Sequence, residues 1–303
     1  MAVDNIATRE LPAARRRRKW GEILVPYLLV SPAILFVAGV LGYAVVNGFV
    51  TSLFRVDIWT IGRPFVGLGN YLALFRDPNF LNSLTRSLIF VAGTIVFGLA
   101  LSMTYALLLQ AVRSARGFLR SVALIPYLVS GIAAAIMWRF LFTGEASLVQ
   151  ATLESLGFGQ MTWLGHPDRA LAVVTLANVW FISPFATLIL LGGLQSVDQQ
   201  LYDAAAIDGA NWFHSFLNVT LPGILPMLSL SLMWLSFASF NMFDIILPLT
   251  GGGPGRSTEV LAVYMYQLAF RNLDYSSASA VMMVLLVINL TLSLLYLRVS
   301  RVR

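Results

Sequence analysis

Cysteine is absent from the 303 residues, lysine occurs once, at Lys19, and histidine twice, at His166 and His214. Without thiols there are no disulfides, thiolate metal sites, iron–sulfur clusters or cysteine nucleophiles. The two histidines stand far apart, outside any metal-ligand spacing, and no carboxylate pair has a spacing that fits acid–base catalysis. A phosphate loop of the Gly-x-x-x-x-Gly-Lys type needs a lysine directly behind a glycine, but Lys19 follows Arg18. If ATP drives this protein, another chain must hydrolyse it. Charge is scarce as well: 11% of residues are charged, against about a quarter in a soluble domain. In its place, 58% of residues are apolar and mean hydropathy is +0.79. That balance argues against a soluble enzyme and for a membrane protein.

A hydrocarbon core about 30 Å thick needs about 20 apolar residues at 1.5 Å rise. Six charge-poor apolar runs meet that length, at about 23–50, 85–112, 118–142, 170–194, 222–248 and 276–297. Arg86, Arg120 and Arg139 lie near the ends of their runs, where long side chains snorkel to the interface. No run alternates with period two, so a barrel is excluded. Lipid offers the backbone no hydrogen bonds, which leaves helices. The expected fold class is an all-α integral membrane protein with six transmembrane helices. Its parts are a basic N-terminal segment (1–22), a six-helix domain (23–298) and a short tail (299–303).

Net charge is +6, from 20 basic and 14 acidic residues. Such a balance in a soluble chain could point to nucleic acid, but here the charges flank apolar runs and read as orientation signals. Arg9, Arg15, Arg16, Arg17, Arg18 and Lys19 precede the first run. Placing the N-terminus in the cytoplasm also puts Arg113, Arg116, Arg120, Arg298, Arg301 and Arg303 inside, so twelve basic residues lie inside and eight outside. Both termini are then cytoplasmic. The run Arg15–Lys19 serves as an orientation and anionic-lipid anchor. The first run exceeds a signal-peptide core of about 7–15 residues and is read as a retained span. Glycine- and proline-rich segments at 51–84, 143–169 and 249–275 lie outside, and one substantial loop, 195–221, lies inside.

That inner loop holds the densest signal. Residues 201–226 read LYDAAAIDGANWFHSFLNVTLPGILP. The alanine triplet favours helix, Gly209 punctuates it, and Asn211–Val219 resumes as a second short helix. Pro222 opens the fifth span, a permitted place for proline. The expected object is two short surface helices with a sharp bend, in which Ala204, Ala205 and Ala206 let a partner come close.

Asp203, Ala204, Ala205, Asp208, Gly209, Ala210, Leu221 and Pro222 resemble the EAA motif of ATP-binding-cassette import permeases. Aspartate stands at Asp203 where that family usually has glutamate. The stretch Phe65-Val66-Gly67-Leu68-Gly69-Asn70-Tyr71 is similar to an outer loop of the carbohydrate-uptake branch. So are Leu124-Ile125-Pro126 through Trp138-Arg139-Phe140, and Leu249-Thr250-Gly251-Gly252-Gly253-Pro254, the last closer to a MalF-like than a MalG-like permease. The resemblance covers nearly the whole chain and implies an importer subunit in a prokaryotic plasma (inner) membrane, with no catalytic residue and no metal or cofactor of its own. It implies four kinds of partner: a second homologous permease, two ATPase subunits that bind ATP and Mg, an extracytoplasmic solute-binding protein, and membrane lipid. The inner loop would sit in a cleft of the ATPase, with Asp203 pairing a basic residue and Gly209 allowing the bend. As a short rigid element it would pass on rigid-body motion and switch the permease pair between inward and outward access.

The fifth run carries Ser229, Ser231, Ser236, Ser239, Asn241 and Asp244. Were it one helix, Trp234, Asn241 and Asp244 would fall within about 80° of each other. Trp234 would lie near mid-membrane and Asp244 near the outer surface. An aromatic, an amide and a carboxylate together suit a sugar, and these three form the expected substrate pathway. The plainer reading of the serines and Asn241 is interhelical hydrogen-bonding glue. Gly251–Gly255 lacks the lysine of a phosphate loop and reads as an outer turn. The substrate expected is a di- or oligosaccharide. The alternative is glycerol phosphate or a related polyol, for which Arg139 is the only candidate cation. An ion-coupled secondary transporter is a distant alternative, because the spans hold almost no deep charge.

Overall fold

In the computed structural model, residues 20–112, 116–144, 147–157 and 159–301 are described. Arg9, Arg15–Lys19, Arg113 and Arg303 lie outside the described residues. The chain divides into two compact units, Met1–Asn47 and Gly48–Arg303.

Helix α1 (Trp20–Leu53) makes up the described part of the first unit and runs on into the second. In the second unit follow α2 (Gly69–Arg76), α3 (Pro78–Ala111), α4 (Arg116–Leu128), α5 (Gly131–Phe142), α6 (Leu148–Ser155) and α7 (Pro167–Ser196). Then come α8 (Gln199–Ile207), α9 (Trp212–Ser215), a π-helical turn (Phe216–Thr220), α10 (Leu221–Gly223) and α11 (Leu225–Phe240). The chain closes with α12 (Ile246–Thr250), α13 (Leu261–Tyr266), a second π-helical turn (Gln267–Arg271) and α14 (Tyr275–Arg301). Among the described residues, extended pairing is limited to two isolated bridges, Phe54 with Phe65 and Asp57 with Asp274.

Among the described residues, four helices are long and apolar enough to cross a membrane: Tyr27–Leu53, Pro78–Ala111, Pro167–Ser196 and Tyr275–Arg298. Two further candidates are bent pairs, and both correct the expectation of straight spans. The third run, expected over 118–142, breaks between Gly117–Leu128 and Gly131–Phe142 at an angle of 88°. Pro126 in the last turn of α4 has no N–H to donate, and Ser130 is extended (ψ 136°). The fifth run, expected over 222–248, bends by 75° between Trp212–Gly223 and Leu225–Phe240. Pro222 therefore sits in the three-residue α10, and the long helix starts at Leu225, with Pro226 in its first turn.

Helix α7 is the axis of the second unit. α3 packs along it most extensively, α11 packs on both, and α14 lies against α11. The pattern on α3 inverts that of a soluble helix. Its buried face carries Ser83, Ser87, Thr94, Gly98, Ser102 and Ala106 among Phe80, Phe90, Val91 and Leu109, while Leu88, Ile89, Val96, Phe97 and Leu108 are exposed. Lipid is as apolar as leucine, so burial against protein favours small side chains that allow close approach and polar ones that find partners. Gly98 shows the requirement: a Cβ there would sit 3.2 Å from Leu235.

Candidate functional site

Two regions hold the residues singled out in the sequence. The first is the segment between α7 and α11. Asp198 caps α8, its carboxylate accepting from the Gln200 N–H at 2.9 Å. The helix ends at Asp208, and Gly209 adopts φ +78°, the left-handed conformation that glycine takes without strain. That residue turns the chain so that the Ala210 N–H reaches the Ala205 carbonyl at 2.9 Å. Asn211 then caps α9 through the His214 N–H, also at 2.9 Å. The two short helices with a sharp bend are thus present, and the Tyr202 hydroxyl ties α8 to Thr220, the last residue of the π-helical turn that follows α9, at 2.9 Å.

What this segment presents outward is unusual. Asp203 and Asp208 are both exposed, and Asp203 is bonded only to Gln199 of its own helix, at 3.4 Å. Ala204 is exposed and Ala205 half-buried. Beside them Ile207 is 87% exposed and Trp212 71%, with Leu201 and Phe213 also open. Exposed apolar side chains thus stand beside two exposed carboxylates on this segment. Ala210 and Leu221 are half-buried, Pro222 exposed. A cavity of about 360 Å³ separates Trp212 and Phe216 from Leu107 and Gln110 of α3.

The second region lies where the two broken segments meet. α11 ends at Phe240, so Asn241 and Asp244 do not continue its stripe and the expected single helical face does not exist. Asn241 is exposed and donates to the Phe237 carbonyl at 2.8 Å. Asp244, also exposed, is brought against the start of α5: a Cβ on Gly131 would be 2.9 Å from the Cβ of Asp244. Trp234 is half-buried and donates from Nε1 to the Ile182 carbonyl at 3.3 Å. Its ring lies 4.4 Å from Phe185 and 6.0 Å from Tyr127. The tertiary structure thus assembles an aromatic group from α4, α7 and α11, and places the Asn241 amide and the Asp244 carboxylate beyond the end of α11.

Two groups escaped the sequence reading. Asn178 is fully buried in α7, and its amide donates to Thr94 at 3.1 Å and to Ser239 at 3.0 Å. One amide thereby joins α3, α7 and α11. Its only sequence signal is an amide inside a charge-free run. The other group is a clasp formed by the glycine turn. Glu259, buried, receives Arg256 at 2.5 Å and the Ser83 hydroxyl at 3.1 Å, while Asn82 donates to the Arg256 carbonyl at 3.1 Å. Gly251, Gly252 and Gly255 all have positive φ, so the expected turn is present and is bonded to α3. Ser236 bonds Tyr296 of α14 at 2.8 Å, so Ser236 and Ser239 fit the glue reading, whereas Ser231 donates to the Met227 carbonyl of its own helix at 2.9 Å.

A family model described as binding-protein-dependent transport system inner membrane component matches residues 95–302. The chain belongs to this family. It is 35% identical over 288 residues to the trehalose/maltose transport system permease protein MalF of Thermococcus litoralis, covering 94% of this chain and 96% of that one. It is also 35% identical over 270 residues to the sn-glycerol-3-phosphate transport system permease protein UgpA of Yersinia enterocolitica, covering 88% and 91%. Its fold matches a bacterial alginate ABC transporter, solved in complex with an alginate pentasaccharide-bound periplasmic protein, with a TM-score of 0.77 at 22% identity, covering 94% and 97%. The family read from the loop motif is the family found: an ABC importer permease, a translocation component of a membrane transporter.

Proposed function

We propose that this permease is a MalF-like half of a sugar importer, moving a di- or oligosaccharide by alternating access. The bent pairs each count as one span, giving six, and both termini and the α8–α9 segment face the cytoplasm. A homologous permease completes the pathway, an extracytoplasmic binding protein delivers substrate, and two ATPase subunits bind ATP and Mg. The observation that carries the reading is the exposed α8–α9 segment. Two carboxylates, Asp203 and Asp208, stand beside Ile207, Trp212 and Phe213, a surface suited to a cleft with a basic rim. A short helix fixed by caps at both ends moves as one body, so force applied to Asp203–Ala210 reaches α11 through Leu221 and Pro222.

The sugar assignment draws on the second region. Trp234, Phe185 and Tyr127 offer ring faces, and Asn241 and Asp244 offer polar groups for hydroxyls, where the break at Ser130 meets the end of α11 at Phe240, and transporters commonly bind solutes at discontinuous helices. A phosphorylated substrate would favour a free cation there. Arg139, the candidate, donates one N–H to the Pro248 carbonyl at 3.3 Å and keeps its charge, so the sugar reading rests on the ring faces and hydroxyl-binding groups.

The test is purification of the tagged chain from its native cells in mild detergent, followed by mass spectrometry, repeated with Gly209→Pro and Asp203→Arg. The expected result is co-purification of an ATPase and a second multi-span protein, with the ATPase lost from both variants. A chain that purifies alone and still transports in vesicles without ATP would overturn the reading.

A further inference from the structure

A cavity of about 420 Å³ lies between the N-terminal halves of α3 and α7. Its lining includes two charged side chains, Arg86 of α3 and Asp168 in the first turn of α7; the rest is almost wholly apolar. Among the described residues neither belongs to an ion pair, and the Arg86 Nε is buried without a hydrogen-bond partner. An unpaired guanidinium facing an apolar cavity at a membrane-spanning helix is costly, and the cost falls when an anion meets it. The cavity continues past Gly93 to Phe97, roughly 16 Å beyond Arg86 at 1.5 Å per residue. One leaflet of a hydrocarbon core is about 15 Å deep. Exposed Ile89, Phe97 and Leu176 line its mouth, the small Ala172 among them leaves room, and buried Leu171 and Thr175 line its inner side.

We propose that this groove is a binding site for a phospholipid with a primary-amine headgroup. Its phosphate meets Arg86, its ammonium meets Asp168, and one acyl chain lies along the groove toward Phe97. A guanidinium offers a fork of N–H donors that matches phosphate oxygens, and a carboxylate accepts hydrogen bonds from a primary ammonium. A quaternary choline has no N–H to donate to Asp168, and a glycerol headgroup brings it no cation. Hydrogen bonding to Asp168 thus selects phosphatidylethanolamine over phosphatidylcholine, and charge complementarity selects it over phosphatidylglycerol. No other lining residue carries charge.

The full chain, purified in mild detergent with the subunits that accompany it, is exchanged into micelles containing one dioleoyl phospholipid at a time. Native mass spectrometry then counts the lipid retained. Phosphatidylethanolamine is expected to be held about tenfold more strongly than the other two, the equivalent of one charge-assisted contact. Arg86→Gln lowers retention of all three lipids. Asp168→Asn leaves Arg86 in place and abolishes only the preference for the amine, and Ala172→Phe blocks the acyl path with both charges intact. Each variant is compared at equal thermal stability and monodispersity. Equal retention of the three lipids by the unmodified chain, or unchanged retention in Arg86→Gln, would overturn the site. So would displacement of the lipid by free phosphoethanolamine at matching concentration, which would mark a site for a soluble headgroup.

Discussion

A single amide shows what a residue does when lipid replaces water as the solvent. Asn178 has no water to return to, so its two donated bonds hold α3 and α11 on α7. Such bonds contribute about 0.6 kcal/mol each, with a maximum near 1.7. Asn178→Ala is therefore expected to lower stability by about 1–2 kcal/mol, read as a fall in the melting temperature of the purified permease. An unchanged melting point would show that the joint carries no weight. The residues proposed for the pathway make a different prediction. Trp234 is only half-buried and Asn241 is exposed, so Trp234→Ala and Asn241→Ala should cut sugar uptake while membrane levels stay constant. Unchanged uptake and apparent affinity in both would remove them from the pathway.

Elements are joined through glycine. Gly192 and Gly193 are neighbours on α7 with opposite surroundings. A Cβ on Gly192 meets nothing within 4 Å, whereas on Gly193 it would lie 2.8 Å from the Cβ of Met227 in α11. Gly192→Ala is expected to be neutral or stabilising, by up to about 1 kcal/mol, from helix propensity. Gly193→Ala should be clearly destabilising, because Met227 is pressed at its own Cβ and the two helices must separate. Thermal denaturation of the pair side by side decides the point, and equal melting points would contradict the packing of α7 on α11. The same logic explains the broken third span. Gly131 admits Asp244 at the start of α5, so the break and the end of α11 share one location that no straight helix would give them.

In the second unit as a whole, the turn after α12 is fastened to α3 by the Arg256–Glu259–Ser83 clasp. Arg256 is 41% exposed but Glu259 only 3%, so removing the carboxylate strands a partly solvated cation and an empty buried pocket. Glu259→Ala should lower the melting temperature and speed proteolysis at 251–259. Arg256→Gln, which leaves the Ser83 hydroxyl on Glu259, should do less. Equal effects would mean that Arg256, and not burial of the carboxylate, holds the turn.

How much was legible beforehand follows from what each signal depends on. Long charge-poor runs placed four uninterrupted helices, within about seven residues at each end, because transfer of backbone and side chains into lipid depends on composition and length alone. The α8–α9 segment was legible for a related reason: caps, a glycine turn and short helices are local chemistry at Asp198, Gly209 and Asn211. The third and fifth runs misled. Apolar composition is the same in a straight span and a broken one, and the breaks at Ser130 and after Phe240 depend on contacts with distant segments. The expected face of Trp234, Asn241 and Asp244 failed on that account. Composition by itself determined an all-helical membrane protein, and the local motifs pointed to its permease family and to two short helices joined by a glycine bend. Only the tertiary structure decided which small polar residues face protein, where helices end early, and that Arg86 and Asp168 line one apolar groove, since each of these is settled by pairs of groups far apart along the chain.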